Sequence, residues 1–267
     1  MSNDPRQIPE LTALRGLWTR SLIAWPDGRR DTTTSVRWLQ GPEIYIDLRQ
    51  PANRPDFSGV GALNALSAAQ IEWLATQEGF AGRLTKDGPW FEWGREFDLQ
   101  PQAMYSDCGR LWYHEDYVIE EGRDQPYIEH WHHHLRGEPS RCVALELREA
   151  DGPRRGFLVR VGSMFMLARS RASALPDKPS LLDCVRTASD RDATLALLDC
   201  EIAFGEIEGN HWQIRHSSQP WREGQSLGPV LAAEKRLWTC SDLTVDGSVQ
   251  HREWTIVAIE GDLQDAA

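Results

Sequence analysis

The feature that most constrains this chain is the alternation of short β-type runs with turn signals, sustained over most of its length. Residues 17–25, 32–39 and 43–49 are rich in β-branched and aromatic side chains and are separated by Pro26-Asp27-Gly28 and by Gly41-Pro42. Proline presets φ and glycine reaches conformations closed to other residues, so both breaks reverse the chain between strands. Successive strand side chains point to opposite sides. In the third run Ile44, Ile46 and Leu48 therefore share one face, and Tyr45, Asp47 and Arg49 the other. The first face belongs to a core. The second is charged and aromatic-edged, an unusual combination for a merely solvated surface.

Further runs over 80–85, 90–99, 110–119, 126–134, 142–148 and 156–168 are joined through turns at Lys86-Asp87-Gly88, Glu121-Gly122-Arg123-Asp124 and Ala150-Asp151-Gly152, a pattern of sequential hairpins. Strand patterns continue over 181–188, 194–208, 211–216, 237–243 and 249–260. One helix is expected over about 67–79, where Ser67 and Gln70 form a capping box, Ile71 and Leu74 an apolar face, and Gly79 a stop. The Pro/Gly-containing loop over 50–62 precedes it, and loop and helix together suit a lid or plug. The predicted class is mainly β: an antiparallel barrel with one inserted helix and additional C-terminal strands. Pro176-Asp177-Lys178-Pro179 marks the expected boundary between a barrel over 1–176 and strands over 177–267 that pack on it or complete it. One continuous assembly is favoured, because about 90 residues with some five strands close a barrel poorly.

Charge and composition exclude several classes. With 40 acidic against 29 basic side chains the formal charge is −11, which disfavours a phosphate-neutralising surface, so nucleic acid is not an expected partner. No apolar run approaches the ~20 residues that cross a bilayer, so no membrane partner is expected. Residues 1–10 lack an apolar secretory region, and a cytoplasmic location is the expectation. Five cysteines, odd in number and never in CxxC, read as reduced, mostly buried thiols. Twelve tryptophans imply either a bulky core or an aromatic-lined cavity.

The segment Tyr127-Ile-Glu-His-Trp-His-His-His134 is the most unusual in composition. As a strand it puts His130, His132 and His134 on one face and Tyr127, Glu129, Trp131 and His133 on the other. Same-face neighbours lie ~6.6 Å apart, a spacing that lets two imidazoles close on one ion. A hairpin with 110–119 would bring His114 opposite Trp131, making His114, His130 and His132 a candidate zinc or iron set. The plain alternative is a solvent-exposed histidine run at a strand end. HExxH is absent, and no cofactor is required by the sequence. On the opposite face, Tyr127, Glu129 and Trp131 match Tyr45, Asp47 and Arg49. If both sets line a barrel interior, Arg49 can pair with Glu129 or Asp47. Buried charge must be paired, so such a set is either a structural network or a receptor for a polar ligand. Walker, GxSxG and dinucleotide-binding fingerprints are absent.

The stretch from Thr32 to Arg49 resembles the second and third strands of lipocalin-like (calycin) barrels, most closely those of fungal lipocalin-like kinase-interacting proteins and uncharacterised bacterial relatives. Tyr127-x-Glu129-x-Trp131 and the Val-Arg-Val-Gly strand turn over Leu158 to Gly162 are similar too, Gly16-Leu17-Trp18 approximates the Gly-x-Trp of such barrels, and the histidine run departs from the pattern. The likeness spans roughly the first 170 residues. It implies an antiparallel barrel with a cavity that binds small apolar or amphipathic molecules.

The leading expectation is therefore binding of a small organic ligand, with Trp18, Trp38, Trp112 and Trp131 as walls and Arg20, Tyr45, Asp47, Arg49, Tyr127 and Glu129 as orienting groups. An enzyme in the same cavity is the alternative, with Glu129 or Asp47 as general acid/base and metal assistance from the histidines. A third reading is an interaction module that exposes Ile71, Trp73 and Leu74 on the inserted helix.

Overall fold

A computed structural model describes residues 7–134 and 141–267. Its first half holds β1 (Gly16–Ala24), β2 (Arg30–Asp31), β3 (Ser35–Gln40), β4 (Ile44–Gln50), β5 (Glu78–Asp87), β6 (Trp90–Asp98), β7 (Asp107–His114), β8 (Tyr117–Gly122) and β9 (Ile128–His134). Strand β1 pairs with β2, β3 and β9, and β3 to β9 pair in succession, all antiparallel, which closes β1 and β3–β9 into an eight-stranded barrel with β2 as a short addition to β1. The expected antiparallel barrel is present.

The second half holds β10 (Cys142–Glu149), β11 (Arg155–Val161), β12 (Met164–Arg169), β13 (Glu201–Glu208), β14 (His211–Ser217), β15 (Val230–Ala232), β16 (Leu237–Leu243) and β17 (Val249–Gly261). They form a sheet in the order β14-β13-β12-β11-β10-β17-β16-β15. Leu227 bridges β14 to β16: its N–H donates to the Trp212 carbonyl and its carbonyl accepts from the Ser241 N–H, both at 2.8 Å. The boundary expected at Pro176–Pro179 does not separate the two sheets. Strands β10–β12 lie before it, β13–β17 after it, and all belong to one sheet, so the change of sheet falls between His134 and Cys142.

Three helices pack together beside the two sheets: α1 (Ala68–Ala75), α2 (Leu181–Arg186) and α3 (Arg191–Leu198). The capping box at Ser67 and Gln70 forms, but α1 ends at Ala75 and Gly79 lies in β5. A Cβ at Gly79 would come within 2.8 Å of the Asp47 carbonyl and of Ile202, so close packing between the barrel and the second sheet demands this glycine. Ile71, Trp73 and Leu74 are buried against α2 and α3, contrary to the exposed patch an interaction helix would need. Residues 181–188 and the start of 194–208 are helical rather than extended. The Ser180 and Asp190 side chains accept from the backbone N–H groups of Asp183 and Ala193, which fixes a helix start at each.

Two long runs prove to be hairpins. Residues 110–119 split into β7 and β8 around Glu115, which takes a φ of 53°. Residues 156–168 split into β11 and β12 around Gly162, with a φ of 59°.

The two faces of β4 explain how the halves join. Ile44, Ile46 and Leu48 point out of the barrel and pack with Leu17, Leu39, Phe97 and Leu99 against Phe157, Val159, Met166, Ile202 and Phe204 of the second sheet. An ionic rim flanks this core: Arg83 reaches Glu96 at 2.6 Å and Glu146 at 3.0 Å, and Arg155 reaches the same two carboxylates at 2.9 Å. All five cysteines are free and buried. No helix among the described residues is long and apolar enough to cross a membrane.

Candidate ligand site at the mouth of the first barrel

Inside the first barrel, Trp18, Trp38, Trp93 and Trp131 meet ring to ring. Trp38 lies 5.6 Å from Trp18, 5.7 Å from Trp93 and 5.5 Å from Trp131, centroid to centroid. Three of the four indole N–H groups are satisfied by the protein: Trp18 Nε1 donates to the Leu14 carbonyl (2.6 Å), Trp38 Nε1 to Gln40 (3.1 Å) and Trp131 Nε1 to Glu120 (3.0 Å). Leu14, Val36, Leu84, Phe91, Leu111 and Val118 complete this cluster. Trp18, Trp38 and Trp131 are thus brought together as expected, but they pack on one another. Trp112 is not with them. It alternates along β7 with the interior residue Leu111 and so lies half-buried on the outer side.

Next to the indoles sits a layer of charge. Arg20 on β1 donates to Glu129 Oε1 at 2.5 Å and lies 3.7 Å from Asp31. Arg49 donates to Asp47 at 3.0 Å and lies 3.9 Å from Glu129. The alternation in β4 and β9 produces this arrangement, since Asp47, Arg49, Glu129 and Trp131 all take the interior side. Glu120 on β8 stands directly opposite Glu129 and accepts from Tyr127 Oη (2.7 Å) and Trp131 Nε1. Burial holds the Asp47 and Glu129 carboxyls above the usual range, against the pull of Arg49 and Arg20. Glu120 is pushed well up by burial and by the charges of Glu129 and Asp107. Burial likewise raises the phenols of Tyr45 and Tyr127.

The charged layer opens outward through Arg95. Arg95 shares the interior side of β6 with Phe91 and Trp93 by plain alternation, and the bulge that follows it at Glu96 turns Phe97 outward; Gly82 is required there because a Cβ would strike the Gly94 carbonyl at 1.8 Å. Arg95 reaches Asp98 at 3.1 Å and Asp107 at 2.6 Å. Its guanidinium lies 3.6 Å from the centre of the Phe80 ring, and that of Arg49 lies 4.9 Å from it. Burial pushes Asp98 up to about 6, opposed chiefly by Arg95. Outside these groups is a cleft of about 910 Å³, lined by residues 92–96, 98, 100–107, 171 and 174–178. Met104 and Tyr105 on its wall are 89% and 52% exposed, the proportions of a surface that offers apolar area to solvent.

The histidines occupy another place. Strand β8 lies between β7 and β9, so Val118, not His114, is opposite Trp131. The Tyr117 ring contacts all three candidate ligands, with centroids 5.1 Å from His114, 4.7 Å from His130 and 5.7 Å from His132. His132 Nε2 is within 2.8 Å of the Ser21 hydroxyl. Among the described residues no group of three His, Cys, Asp or Glu side chains is placed to hold a metal ion. His133, on the interior face, stacks on Trp18 at 4.3 Å and donates from Nε2 to the Arg15 carbonyl.

Arg95, Asp98, Asp107 and Glu120 escaped the sequence reading. Glu120 could have been found from its place opposite Glu129, had the break at Glu115 been visible. Arg95 lies on the same face of β6 as Phe91 and Trp93, and the bulge after it, which moves Phe97 to the outer face, obscures that pattern in the sequence.

No protein-family model matches this chain, and no curated protein aligns with it. Among solved structures, an uncharacterized protein of Saccharomyces cerevisiae is similar over 92% of this chain and 98% of its own length. The TM-score is 0.50 and the sequence identity 12%. At that identity the likeness concerns the fold. The closed eight-stranded antiparallel barrel fits a calycin or lipocalin-like fold.

Proposed function

We propose that this chain binds a small amphipathic organic molecule in the cleft at the mouth of the first barrel. The observation that carries the reading is the meeting of three things at one place: an open volume, exposed Met104 and Tyr105, and the Arg95–Asp98–Asp107 triad continuous with the buried charges behind it. Binding sites combine apolar wall with a few fixed polar groups, and this lining has that composition. The ligand would rest against Trp93 and Tyr105 rather than among Trp18, Trp38 and Trp131, whose rings occupy one another's faces. Arg20, Asp47, Arg49, Tyr127 and Glu129 would hold Arg95 and the barrel mouth in shape from behind. The resemblance to lipocalin-like proteins of fungi and bacteria supports the same reading, as does the fold.

One observation favours catalysis as a second reading. Asp98 lines the cleft with its carboxyl pushed up to about 6, within the range where a group can both take and give a proton near neutrality. Native mass spectrometry before and after denaturation tests the first reading. A small molecule released on denaturation, whose re-addition raises the melting temperature and changes the fluorescence of the parent but not of Trp93→Phe, is the expected result. A bare chain whose melting temperature and fluorescence respond to no amphipathic compound would overturn it.

A further inference from the structure

Arg171 follows β12 and forms part of the cleft lining, yet the residue is only 8% exposed. Its guanidinium is held by neutral groups. Nε donates to the Leu197 carbonyl (2.9 Å), Nη1 to that of Asp98 (3.2 Å), and Nη2 to that of Leu99 (2.9 Å) and to Cys200 Sγ (3.0 Å). A guanidinium carries five N–H groups. Four are taken, and one on Nη1 remains.

Each of the other arginines in the barrel interior and at its mouth, Arg20, Arg49 and Arg95, has a carboxylate partner. Arg171 forms no ion pair with any described residue, and a buried charge without a counter-charge is costly. A second cation, Lys178, lies on the same cleft wall, exposed and likewise without a described ion-pair partner. Arg171 and Lys178 belong to the same lining segment of the cleft, which residues 171 and 174–178 supply.

We infer that the ligand of this cleft is an organic carboxylate, its carboxylate set between Arg171 and Lys178 and its apolar body against Trp93, Met104 and Tyr105. The inference rests on the cleft-binding reading above and adds the charge of the ligand. Four fixed hydrogen bonds hold the Arg171 guanidinium before any ligand arrives, so little ordering is needed on binding. With a single free N–H it cannot grip a carboxylate as a two-pronged fork. It supplies charge and one hydrogen bond, and Lys178 supplies the mobile part of the grip. The acidic groups of the lining set the limits. Asp98 and Asp107 are engaged by Arg95, and Glu96 by Arg83 and Arg155, whereas Glu92 and Asp177 line the cleft exposed, where solvent screens their charge.

The test is calorimetric titration of the full chain with three probes sharing one aromatic body: 3-phenylpropionate, 3-phenylpropanol and 3-phenylpropylamine. The carboxylate is expected to bind about tenfold more tightly than the alcohol, the value of one good charge-assisted hydrogen bond, with the amine weakest. Lys178→Glu should remove that advantage, so that the carboxylate binds no more tightly than the alcohol. Because Lys178 is exposed, this variant is expected to fold. Arg171→Gln should have the same effect on selectivity if its melting transition stays cooperative. Equal affinities for the three probes, tighter binding of the amine, or an unchanged carboxylate affinity in Lys178→Glu would overturn the inference and leave the cleft-binding reading standing. Binding of none of the probes would overturn the inference as well.

Discussion

The two halves of the molecule use one recipe and reach different ends. Each β assembly has a tryptophan-rich interior closed at one end by a 3-10 turn whose carbonyl receives an indole N–H, from Trp18 to Leu14 in the first and from Trp238 to Ala266 in the second. Each also has a layer of arginines and carboxylates. In the second, Arg169 lies 3.2 Å from Asp242 and 2.9 Å from Asp199, Arg252 reaches Asp242 at 2.7 Å, and Arg222 reaches Glu201 at 3.3 Å. The balance of charge differs. Although burial raises the Asp242 carboxyl, Arg169, Arg252 and Arg222 together bring it below its ordinary value. In the first barrel Arg20, Arg49 and Arg95 face Asp31, Asp47, Asp98, Asp107, Glu120 and Glu129, and burial lifts Asp47, Asp98, Glu120 and Glu129. The second cluster sets three arginines against three carboxylates and is enclosed, as a structural network requires, although Arg169 Nε and Nη2 make no hydrogen bond. The first holds more negative charge than its arginines neutralise and opens on a cleft, so it can respond to protons and to ligands.

The largest difference should appear when an arginine is removed from each. Arg169→Met strips a fully buried cation from two carboxylates and is expected to cost about 3–5 kcal/mol in urea unfolding. Arg95→Ala, at the solvent-washed mouth, should cost no more than about 1 kcal/mol. Equal losses would break the contrast between the two clusters.

The next effect is on pH. The folded-state pKa of Asp98 is raised from 3.8 to about 6, so the folded chain binds the extra proton between those values. Stability should therefore fall as pH rises from about 4 to about 6.5, by about 2–3 kcal/mol from this residue. Asp98→Asn should flatten that part of the profile, and a profile unchanged by the substitution would contradict the assignment. Asp242 works in the opposite sense: its stabilisation is present above the ordinary aspartate value and is lost as pH falls through its depressed one.

A smaller change sharpens the picture of the carboxylate pair. Glu120→Gln removes a charge facing Glu129 but leaves only one oxygen for Tyr127 and Trp131, and the balance should be a gain of up to about 1 kcal/mol at pH 7 that shrinks at pH 4. The smallest effects should come from His130→Ala and His132→Ala on the outer face, each within about 0.5 kcal/mol in thermal unfolding. Added zinc should not raise the melting temperature of the parent chain.

Where strand alternation runs unbroken, the interior could be read directly. The pairing of Arg49 with Asp47 and Glu129 follows from counting along β4 and β9. The charge on the barrel mouth was hidden for two physical reasons. The turn at Glu115 carries neither glycine nor proline, so β7 and β8 look like one strand and Glu120 is assigned to no face. The cleft itself joins residues 92–107 to residues 171–178, a juxtaposition set by the docking of the second sheet and not by any local pattern. Helices α2 and α3 were missed because their apolar residues suit a buried strand equally well. Only the Ser180 and Asp190 caps distinguish the two.

The outward face of β4 has a consequence for dissecting the molecule. A fragment ending at His134 would retain every hydrogen bond between β1 and β9 and could close its barrel, yet it would present Leu17, Leu39, Ile44, Ile46, Leu48 and Leu99 to water as one surface. Such a fragment would be a folded but adhesive particle, self-associating at concentrations where the whole chain stays dispersed.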